Sequence, residues 1–382
     1  MLEKIKKIDW FIVLILIIFM VISVMTVYSA TFGYTLFHNY HIKDLYNFLF
    51  GFIVFAVFSM FNYRLLMKSS LYLYIAGNIM LVGVLFTPKV NGAHSWFHIP
   101  GSNMDFQPAE LVKFILIITI TSFLSRNRGE TLEFVRDVIP IGLVVSVPFF
   151  LDLIQPDLGN AIVYLVILAV MYWIGNIKYL HAFIGIVSIV VILGLFINLY
   201  SHYHDELYQY VGVHQHDKQH WLDRIDTFLD PSKVSSNKSW QVDNSIRAIG
   251  SGGLSGEGYL HGDSVRKGFI PFTYADSIFV VIGEEFGFIG SALLLLLYFL
   301  LIYRMILISI QTTDRRGSYM IVGIVAMFVF QVFQNIGMMI GLIPLTGITL
   351  PFISYGGTSL FINMMSIGLV MSVKLHSGKQ YD

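Results

Sequence analysis

The chain has 382 residues, of which 56% are hydrophobic and 13% are charged, and its formal net charge is zero. A soluble protein carries roughly twice that share of charged residues, so the composition excludes an ordinary soluble enzyme. The balanced charge and the lack of a basic stripe also argue against nucleic-acid binding. With a mean hydropathy of +0.71, the chain is predicted to be an all-α polytopic integral membrane protein.

Apolar runs long enough to cross a bilayer, about 20 residues each, recur along the whole chain. We predict about ten transmembrane helices, with ranges of 10–31, 47–62, 69–87, 107–124, 137–152, 158–175, 179–200, 277–303, 318–342 and 356–374. The first run is too long for the core of a signal peptide, and no small-residue cleavage motif follows it. We therefore expect it to remain as a membrane anchor.

The distribution of Lys and Arg predicts the orientation of the chain. One set of connections holds most of them, and an even number of spans puts both termini on that same side. We therefore expect both termini in the cytoplasm and one large extracytoplasmic loop, residues 201–276, between spans seven and eight. With no internal repeat or separate soluble region, residues 1–382 are predicted to form a single membrane domain. The chain has no cysteine, so disulfides cannot order the large extracytoplasmic loop.

Two motifs place charged residues at the starts of predicted spans. Glu110 and Lys113 lie three residues apart, on one helix face. They form either a self-neutralising pair or the charged wall of a cavity. Asp157 follows Pro156 at a helix start, where the helix dipole favours an anion. It is either a capping carboxylate or a third member of the group, paired with Lys113.

The long loop contains a predicted amphipathic helix, "WLDRIDTFLDP". Its apolar residues recur at helical spacing. The opposite face carries its charged residues, Asp223, Arg224, Asp226 and Asp230. Such a helix is suited to lying on the membrane surface. Five histidines of the same loop match no metal-binding spacing and are predicted to form a solvated surface; they are His202, His204, His214, His216 and His220.

A glycine-rich segment follows, with six glycines between residues 250 and 262. It is not a nucleotide-binding phosphate loop, because no strand precedes it and no GK[ST] closes it. Glycine turns aim N–H groups at an anion or let two chains approach closely. With Arg247, Arg266 and Lys267 nearby, the segment is either a site for a pyrophosphate headgroup or a flexible loop.

The last polar segment, residues 335–360, interrupts the bundle with two prolines and five glycines. Irregular backbone at membrane depth is tolerated against protein or a water-filled cavity. We expect this segment to line a cavity with Ser354, Tyr355, Thr358 and Ser359, the alternative being a simple outer loop.

Asp276 stands where the long loop meets the eighth predicted span, and two further acids, Glu284 and Glu285, follow inside that span. Ionised groups are costly there. Asp276 is either an N-cap of the helix or a functional carboxylate. Glu284 lies eight residues on, on roughly the same face, and is either a supporting residue or a partner of a neighbouring helix.

Taken together, these motifs resemble the SEDS family, the membrane proteins typified by RodA and FtsW. The matching pieces, in order, are "NGA-x-x-W", "QPAE-x-x-K", "QPDLG", "R-x-x-x-FLDP", "Q-x-x-x-S-x-x-AIGSGG-x-x-G-x-G" and "LPFISYGGTS". The resemblance covers residues 10 to 374, including the span count and the position of the long loop.

The resemblance implies a peptidoglycan glycosyltransferase of the bacterial cell membrane. Such an enzyme polymerises lipid II, an undecaprenyl-pyrophosphate disaccharide-pentapeptide, usually with a class B penicillin-binding protein as its cross-linking partner. The essential acid of the family falls on Asp276. Substrate or cavity residues carried over by the motifs or by the expected chemistry are Glu110, Lys113, Asp157, Arg224, Gln241, Ser245, Arg247, Lys267, Ser354 and Tyr355.

The expected chemistry is a single displacement with inversion, which requires one general base and donors for the departing pyrophosphate. It allows a divalent cation, Mg²⁺ or Mn²⁺, without requiring one. This chain departs from the family at His94 and Ser95, and at residues 271–276, where many members have P-E-x-H-T-D and this chain has Pro-Phe-Thr-Tyr-Ala-Asp. Roles of the missing Glu and His cannot be carried over. The "YAD" at residues 274–276 and the following "SIFVVIGEEFGFIG" resemble the elongation-type RodA branch more than the division branch. Two alternatives are a lipid II flippase and a non-catalytic scaffold for a transpeptidase.

Overall fold

The fold is a helical bundle with irregular segments at one end. The computed structural model describes residues 8–34, 37, 39–88, 94–98, 105–127, 129–204, 206, 207, 209, 211, 226 and 236–376. The helices before the long loop are α1 (Trp10–Thr31), α2 (Tyr40–Met60), α3 (Tyr63–Lys68), α4 (Ser70–Val84), α5 (Pro108–Leu124), α6 (Ile139–Ile154), α7 (Leu158–Ile174) and α8 (Tyr179–His202). The helices that follow are α9 (Ser236–Ser251), α10 (Asp263–Arg266), α11 (Ile278–Gln311), α12 (Arg315–Met339) and α13 (Gly357–His376).

Two short strands, β1 (Phe97–His98) and β2 (Asp105–Phe106), form an antiparallel hairpin ahead of α5. Within the described residues, eight helices are long and apolar enough to cross a membrane, counting the 3₁₀ turn Ser125–Asn127 with α5 and the π-helical turn Phe134–Val138 with α6, while α4 and α7 are apolar but have 15 and 17 residues. Every predicted span falls on one of these helices. The all-α membrane architecture is therefore confirmed, and the count of ten stays a prediction.

The predicted edges differ from the structure at two spans. The second helix begins at Tyr40 rather than near residue 47, because its first turns carry polar residues that hydropathy leaves out. The eighth runs on to Gln311 and is broken at Gly287, whose φ of +63° suits glycine.

Close helix contacts rely on small residues, as is usual in membrane bundles. Helices α5, α12 and α13 are the most buried, and α13 packs along α2. A Cβ at Gly368 would lie 2.8 Å from the carbonyl oxygen of Phe55, so glycine allows the two backbones to approach. Helix α8 lies at the periphery, with Tyr200 as its buried residue.

At one end of the bundle, which we call the terminal face, acids pair with bases. Asp9 accepts from Lys374 at 2.7 Å and from Arg304. Burial raises the pKa of Asp9, but the hydrogen bonds from Lys374 and Arg304 outweigh burial and leave it below its usual range. Asp314 accepts from Tyr63 and Arg64 in the same way. The contact between Asp9 and Lys374 joins the start of the first helix, α1, to the last helix, α13.

Candidate functional site

Asp276 lies at the opposite end of the bundle, which we call the site face, in a turn just before α11. The turn is closed by hydrogen bonds from the N–H groups of Ala275 and Ser277 to the carbonyl of Phe272. Phe272 has a φ of +54°, in the left-handed region. The interpretation of Asp276 as an N-cap is wrong: Ser277 occupies that position, and no side chain caps the helix there. Asp276 is half-buried, and the Ser277 hydroxyl lies 3.4 Å from its Oδ1.

The backbone of Asp276 is held by a side chain from α12. The buried Asn335 amide donates two hydrogen bonds of 2.7 Å, one to the carbonyl of Asp276 and one to that of Ile348. A single amide therefore joins the turn before α11 to the irregular segment before α13. Sequence reasoning missed Asn335, although it opens the motif that was singled out for its glycines and prolines.

The predicted residues Ser354 and Tyr355 fasten the same two segments. Ser354 Oγ donates to the carbonyl of Ala275 at 2.6 Å and accepts from the N–H of Leu350 at 2.8 Å. The Tyr355 N–H donates to the carbonyl of Tyr274 at 2.9 Å. Residues 335–360 thus support the turn before α11, because three hydrogen bonds from α12 or this segment end on consecutive residues, 274 to 276; that they line a cavity stays a prediction.

Aromatic rings surround this junction. Tyr355 stacks on Tyr40 with ring centroids 4.5 Å apart, and Tyr274 meets Tyr40 edge-on at 5.3 Å. Burial raises the pKa of Tyr274 and of Tyr355 above the usual tyrosine value, and the neighbouring Tyr40 is the second cause in each case. Asp276 contributes to the shift at Tyr274. These hydroxyls therefore stay protonated at neutral pH.

The residues predicted on the long loop divide into three groups. Gln241 Nε2 approaches the Ser277 hydroxyl at 3.4 Å, next to Asp276, while Ser245 is buried and bonds the carbonyl of Gln241. Arg247 is exposed on α9. Lys267 is exposed and pairs with Asp263 at 2.7 Å, which holds the pKa of Asp263 below its usual range. Arg224 and most of the predicted amphipathic helix lie outside the described residues.

One residue of that helix corrects a prediction. Asp226 was expected on the solvent-facing side, but it is buried and accepts from the Tyr200 hydroxyl at 2.6 Å. His204 lies 3.0 Å from the same carboxylate, so it is not part of a solvated surface. A buried carboxylate needs such partners. His202 is exposed, and His214, His216 and His220 lie outside the described residues. Among the residues described, no group of three or more candidate ligands could hold a metal ion.

The glycine-rich segment packs its backbone onto α11. A Cβ at Gly252 would overlap the carbonyl oxygen of Gly283, and one at Gly256, where φ is +83°, would overlap that of Glu285. The N–H groups of Phe288 and Ile289 donate to the carbonyls of Gly253 and Leu254 at 3.0 and 3.1 Å. The segment thus satisfies the backbone at the break in α11, and close approach is the role that Gly252 and Gly256 have here.

Glu284 and Glu285 belong to this packing. Glu284 accepts from the N–H groups of Ser264 at 2.7 Å and Val265 at 3.2 Å, at the start of α10. The Ser29 hydroxyl donates to Glu285. Both acids are buried, and together they fasten the glycine-rich segment and α1 to α11. The interpretation of Glu284 as a partner of a neighbouring segment is the one that these contacts support.

A second polar group lies between α5, α6 and α7. Lys113 and Glu110 are buried and paired at 2.8 Å, as the self-neutralising interpretation expects. Asp157 caps α7 and accepts from Gln107 and Asn160; it forms no ion pair with Lys113 within the described part of the chain. The third member of this group is instead Asp152, which is buried and interacts electrostatically with Lys113 and Glu110.

Sequence reasoning missed Asp152 because it was counted as the last residue of the apolar span 137–152. The signal that could have found it is a carboxylate inside a predicted membrane span. The two polar groups are joined through α12. Gln334, the neighbour of Asn335, approaches the carbonyl of Gly159 at 3.5 Å and Thr346 at 3.0 Å. The segment before α13 therefore lies between the Asp276 turn and the Glu110 group.

Comparisons with known proteins agree on one family. A family model described as cell cycle protein, covering FtsW, RodA and SpoVE, matches residues 6–379. Stage V sporulation protein E of Bacillus subtilis (strain 168) is 32% identical over 387 residues, covering 97% of this chain and 97% of that protein. Peptidoglycan glycosyltransferase MrdB of Escherichia coli (strain K12) is 32% identical over 335 residues, covering 85% and 83%. A solved chain from a peptidoglycan synthase complex that coordinates polymerization and crosslinking superposes with a TM-score of 0.76 at 25% identity, covering 97% of this chain and 99% of that chain.

Proposed function

The chain belongs to the FtsW/RodA/SpoVE family of cell cycle proteins, and on that premise we propose that it is a peptidoglycan glycosyltransferase with Asp276 as its general base. The substrate is lipid II, and the product is a glycan strand for cell-wall elongation and shape. The name of the MrdB relative states the same activity. The assignment to the elongation-type branch rests on "YAD" at residues 274–276 and "SIFVVIGEEFGFIG" at residues 277–290, since the sporulation relative is as similar as MrdB.

The chemistry is one displacement at an anomeric carbon. The oxygen of the attacking sugar hydroxyl forms the new glycosidic bond, and its proton passes to the Asp276 carboxylate. The bond to the pyrophosphate oxygen breaks, and its electron pair leaves with the undecaprenyl pyrophosphate. A single displacement inverts the configuration and needs one positioned base rather than the paired carboxylates of a retaining glycosidase.

One observation carries the assignment. Asp276 is half-buried at the site face, and hydrogen bonds from Asn335, Ser354 and Tyr355 hold the backbone of its turn. A base must be positioned within hydrogen-bond reach of the proton that it takes, so rigid support of its backbone favours catalysis. Glu284, by contrast, spends its oxygens on backbone N–H groups, which makes it a structural carboxylate.

The pyrophosphate needs positive charge or N–H donors as it departs. Arg247 and Lys267 are exposed, belong to the same predicted extracytoplasmic loop as Asp276 and are the described candidates; Arg224 is a further one from the sequence. A divalent cation, Mg²⁺ or Mn²⁺, would supply the same charge. The glycine-rich segment is less suited to this role, because its turns are packed against α11.

The membrane placement follows from the charge distribution. The terminal face carries Arg64, Arg304, Arg315, Arg316 and Lys374, which the positive-inside rule assigns to the cytoplasm. Both termini are then cytoplasmic in the bacterial inner membrane, and Asp276 is extracytoplasmic, where the cell wall is built. A class B penicillin-binding protein would cross-link the product; the similar solved chain comes from a complex that combines polymerization and crosslinking.

The test is a gel-based polymerisation assay with purified protein and lipid II, with and without a candidate transpeptidase. Asp276→Asn should fold and bind the partner normally yet make no polymer. The matched control is Asp243→Asn, the same change at an exposed aspartate of α9, which should polymerise like wild type. Normal chain growth by purified Asp276→Asn would remove the assignment.

The buried Glu110–Lys113–Asp152 group favours one second candidate, a lipid II flippase, because charged residues at membrane depth often mark transport pathways. A flippase makes no polymer from lipid II and would move it across vesicles regardless of Asp276. A non-catalytic scaffold would likewise tolerate Asp276→Asn. The polymerisation assay therefore separates the enzyme from both alternatives, and movement of lipid II across vesicles separates the flippase from the scaffold.

A further inference from the structure

We propose that Tyr40, Tyr274 and Tyr355, which we call the tyrosine cluster, form a binding subsite for the sugar ring whose hydroxyl Asp276 activates. The ligand class is an N-acetylated hexosamine of a lipid-linked saccharide. This inference rests on the proposed function, because it assigns the sugar to the site that contains Asp276.

The geometry of the cluster brings three half-buried rings together at the site face. The Tyr40–Tyr355, Tyr40–Tyr274 and Tyr274–Tyr355 centroid distances are 4.5, 5.3 and 6.1 Å. Each ring comes from a different segment: the start of α2, the turn before α11 and the segment before α13. Three segments far apart in sequence thus bring tyrosines together, and one of them, Tyr274, is two residues from Asp276 along the chain.

The hydroxyl groups distinguish this cluster from ordinary packing. Elsewhere in the bundle, inward-facing tyrosines donate to carbonyls: Tyr74 to Val144, Tyr164 to Ala109 and Tyr172 to Val138. The hydroxyls of Tyr40, Tyr274 and Tyr355 make no hydrogen bond with any residue that the structure describes, and none is among its fully enclosed polar atoms without a partner. They are therefore open to a ligand, whereas Tyr74, Tyr164 and Tyr172 have fixed partners.

The chemistry of the cluster fits a saccharide. A pyranose ring has one face of C–H groups, which packs on an aromatic face, and an edge of hydroxyls, which needs donors and acceptors. Tyrosine hydroxyls are protonated at neutral pH. Burial raises the pKa of Tyr274 and Tyr355 further, so both hydroxyls remain donors. Asp105 lies close enough to Tyr355 to interact electrostatically with it, and its exposed carboxylate, whose Oδ1 pairs with His98, adds an acceptor for a sugar hydroxyl.

The substrate-binding role separates from the catalytic one in the kinetics. Loss of a stacking ring costs about 0.5–1.5 kcal/mol, which corresponds to up to about tenfold in affinity. Tyr355→Leu should therefore raise KM for lipid II by about tenfold with little change in kcat. Tyr355→Phe, which keeps the ring, should give a smaller increase. Asp276→Asn should instead abolish kcat.

The direct experiment measures binding without turnover, using the lipid-free disaccharide-pentapeptide as the probe in saturation-transfer NMR with the full-length protein. We expect weaker binding by Tyr355→Leu and unchanged binding by Asp276→Asn. The matched control is Tyr46→Leu, the same change on α2 at a ring that is 65% exposed, which should bind like wild type.

A triple variant with phenylalanine at positions 40, 274 and 355 guards against misfolding, because it keeps all three rings and removes only the hydroxyls. It should also bind the probe more weakly. Wild-type affinity in either the triple variant or a folded Tyr355→Leu would overturn the proposal. Because the binding readout needs no chemistry, normal polymerisation by Asp276→Asn would refute the base while leaving this test intact.

Discussion

Asp276 and Glu284 lie eight residues apart on the same stretch of chain, yet their surroundings differ. Glu284 is buried, and its two oxygens accept from consecutive backbone N–H groups of α10. Asp276 is half-buried, and hydrogen bonds from Asn335 and Ser354 hold the backbone carbonyls of Asp276 and of its neighbour Ala275. A carboxylate consumed by donors stabilises a fold, whereas one whose backbone is held is positioned for chemistry.

The largest expected effect comes from the Glu284 region. Gly256→Ala should prevent stable folding, because a Cβ there overlaps the carbonyl of Glu285 and φ is +83°. We expect a loss of several kcal/mol, roughly that of a strained, overpacked site. Thermal unfolding in detergent measures it. Gly250→Ala is the control, since a Cβ at Gly250 meets nothing within 4 Å; equal stability of the two variants would contradict the docked geometry.

The next effect tests the Asp276 region. Asn335→Leu removes both hydrogen bonds of the amide and should lower kcat by about a hundredfold, because misplacement by about 1 Å costs that much. KM should change little, which marks Asn335 as a positioning residue rather than a binding one.

Asn363→Leu supplies the matched control for Asn335. Asn363 is another buried asparagine, on α13, and its amide approaches the Ser359 hydroxyl at 3.4 Å. If both variants lost activity in proportion to lost thermal stability, Asn335 would be a structural residue only.

A smaller effect is expected for Glu284→Gln. The amide keeps one acceptor oxygen, so one of the two N–H groups of α10 loses a charged partner at about 1.5–3 kcal/mol. The unfolding temperature should fall while kcat of the folded fraction stays at the wild-type value. A large drop in kcat without a loss of stability would place Glu284 in the chemistry and erase the contrast with Asp276.

The smallest effect extends the comparison to a third carboxylate, Asp9 at the terminal face. Its folded pKa is depressed by Lys374 and Arg304 despite burial, so its contribution to stability is present above its unfolded pKa of about 3.9 and is lost as pH falls through the lower folded value. Asp9→Asn should cost about 2 kcal/mol at neutral pH and flatten the loss of unfolding temperature below about pH 4. An unchanged acid profile would show that the pair is not coupled to folding.

Much of the site was predictable because burial cost is a local property. Glu110, Lys113, Asp157 and Asp276 stood out as charges at span boundaries, and Ser354 and Tyr355 as polar groups in a broken helix. Asn335 and Asp152 were missed because an amide or acid inside an otherwise apolar run gives no sign of its partner. Asp226 was placed on the wrong side because amphipathic spacing assigns a face but not what that face meets.

The sequence by itself determined the class of the protein, the positions of its apolar helices, its family and the acid at the end of the long loop. Composition and run length are enough for the class and the helices, since the bilayer imposes the same requirement on every span, whereas the family and the acid followed from the ordered motifs. The tertiary structure alone decided that the glycines 252 and 256 serve close packing and that Asn335 holds Asp276. It also decided that tyrosines 40, 274 and 355 meet. Each of these depends on which distant segments come together, and a local sequence pattern does not contain that information.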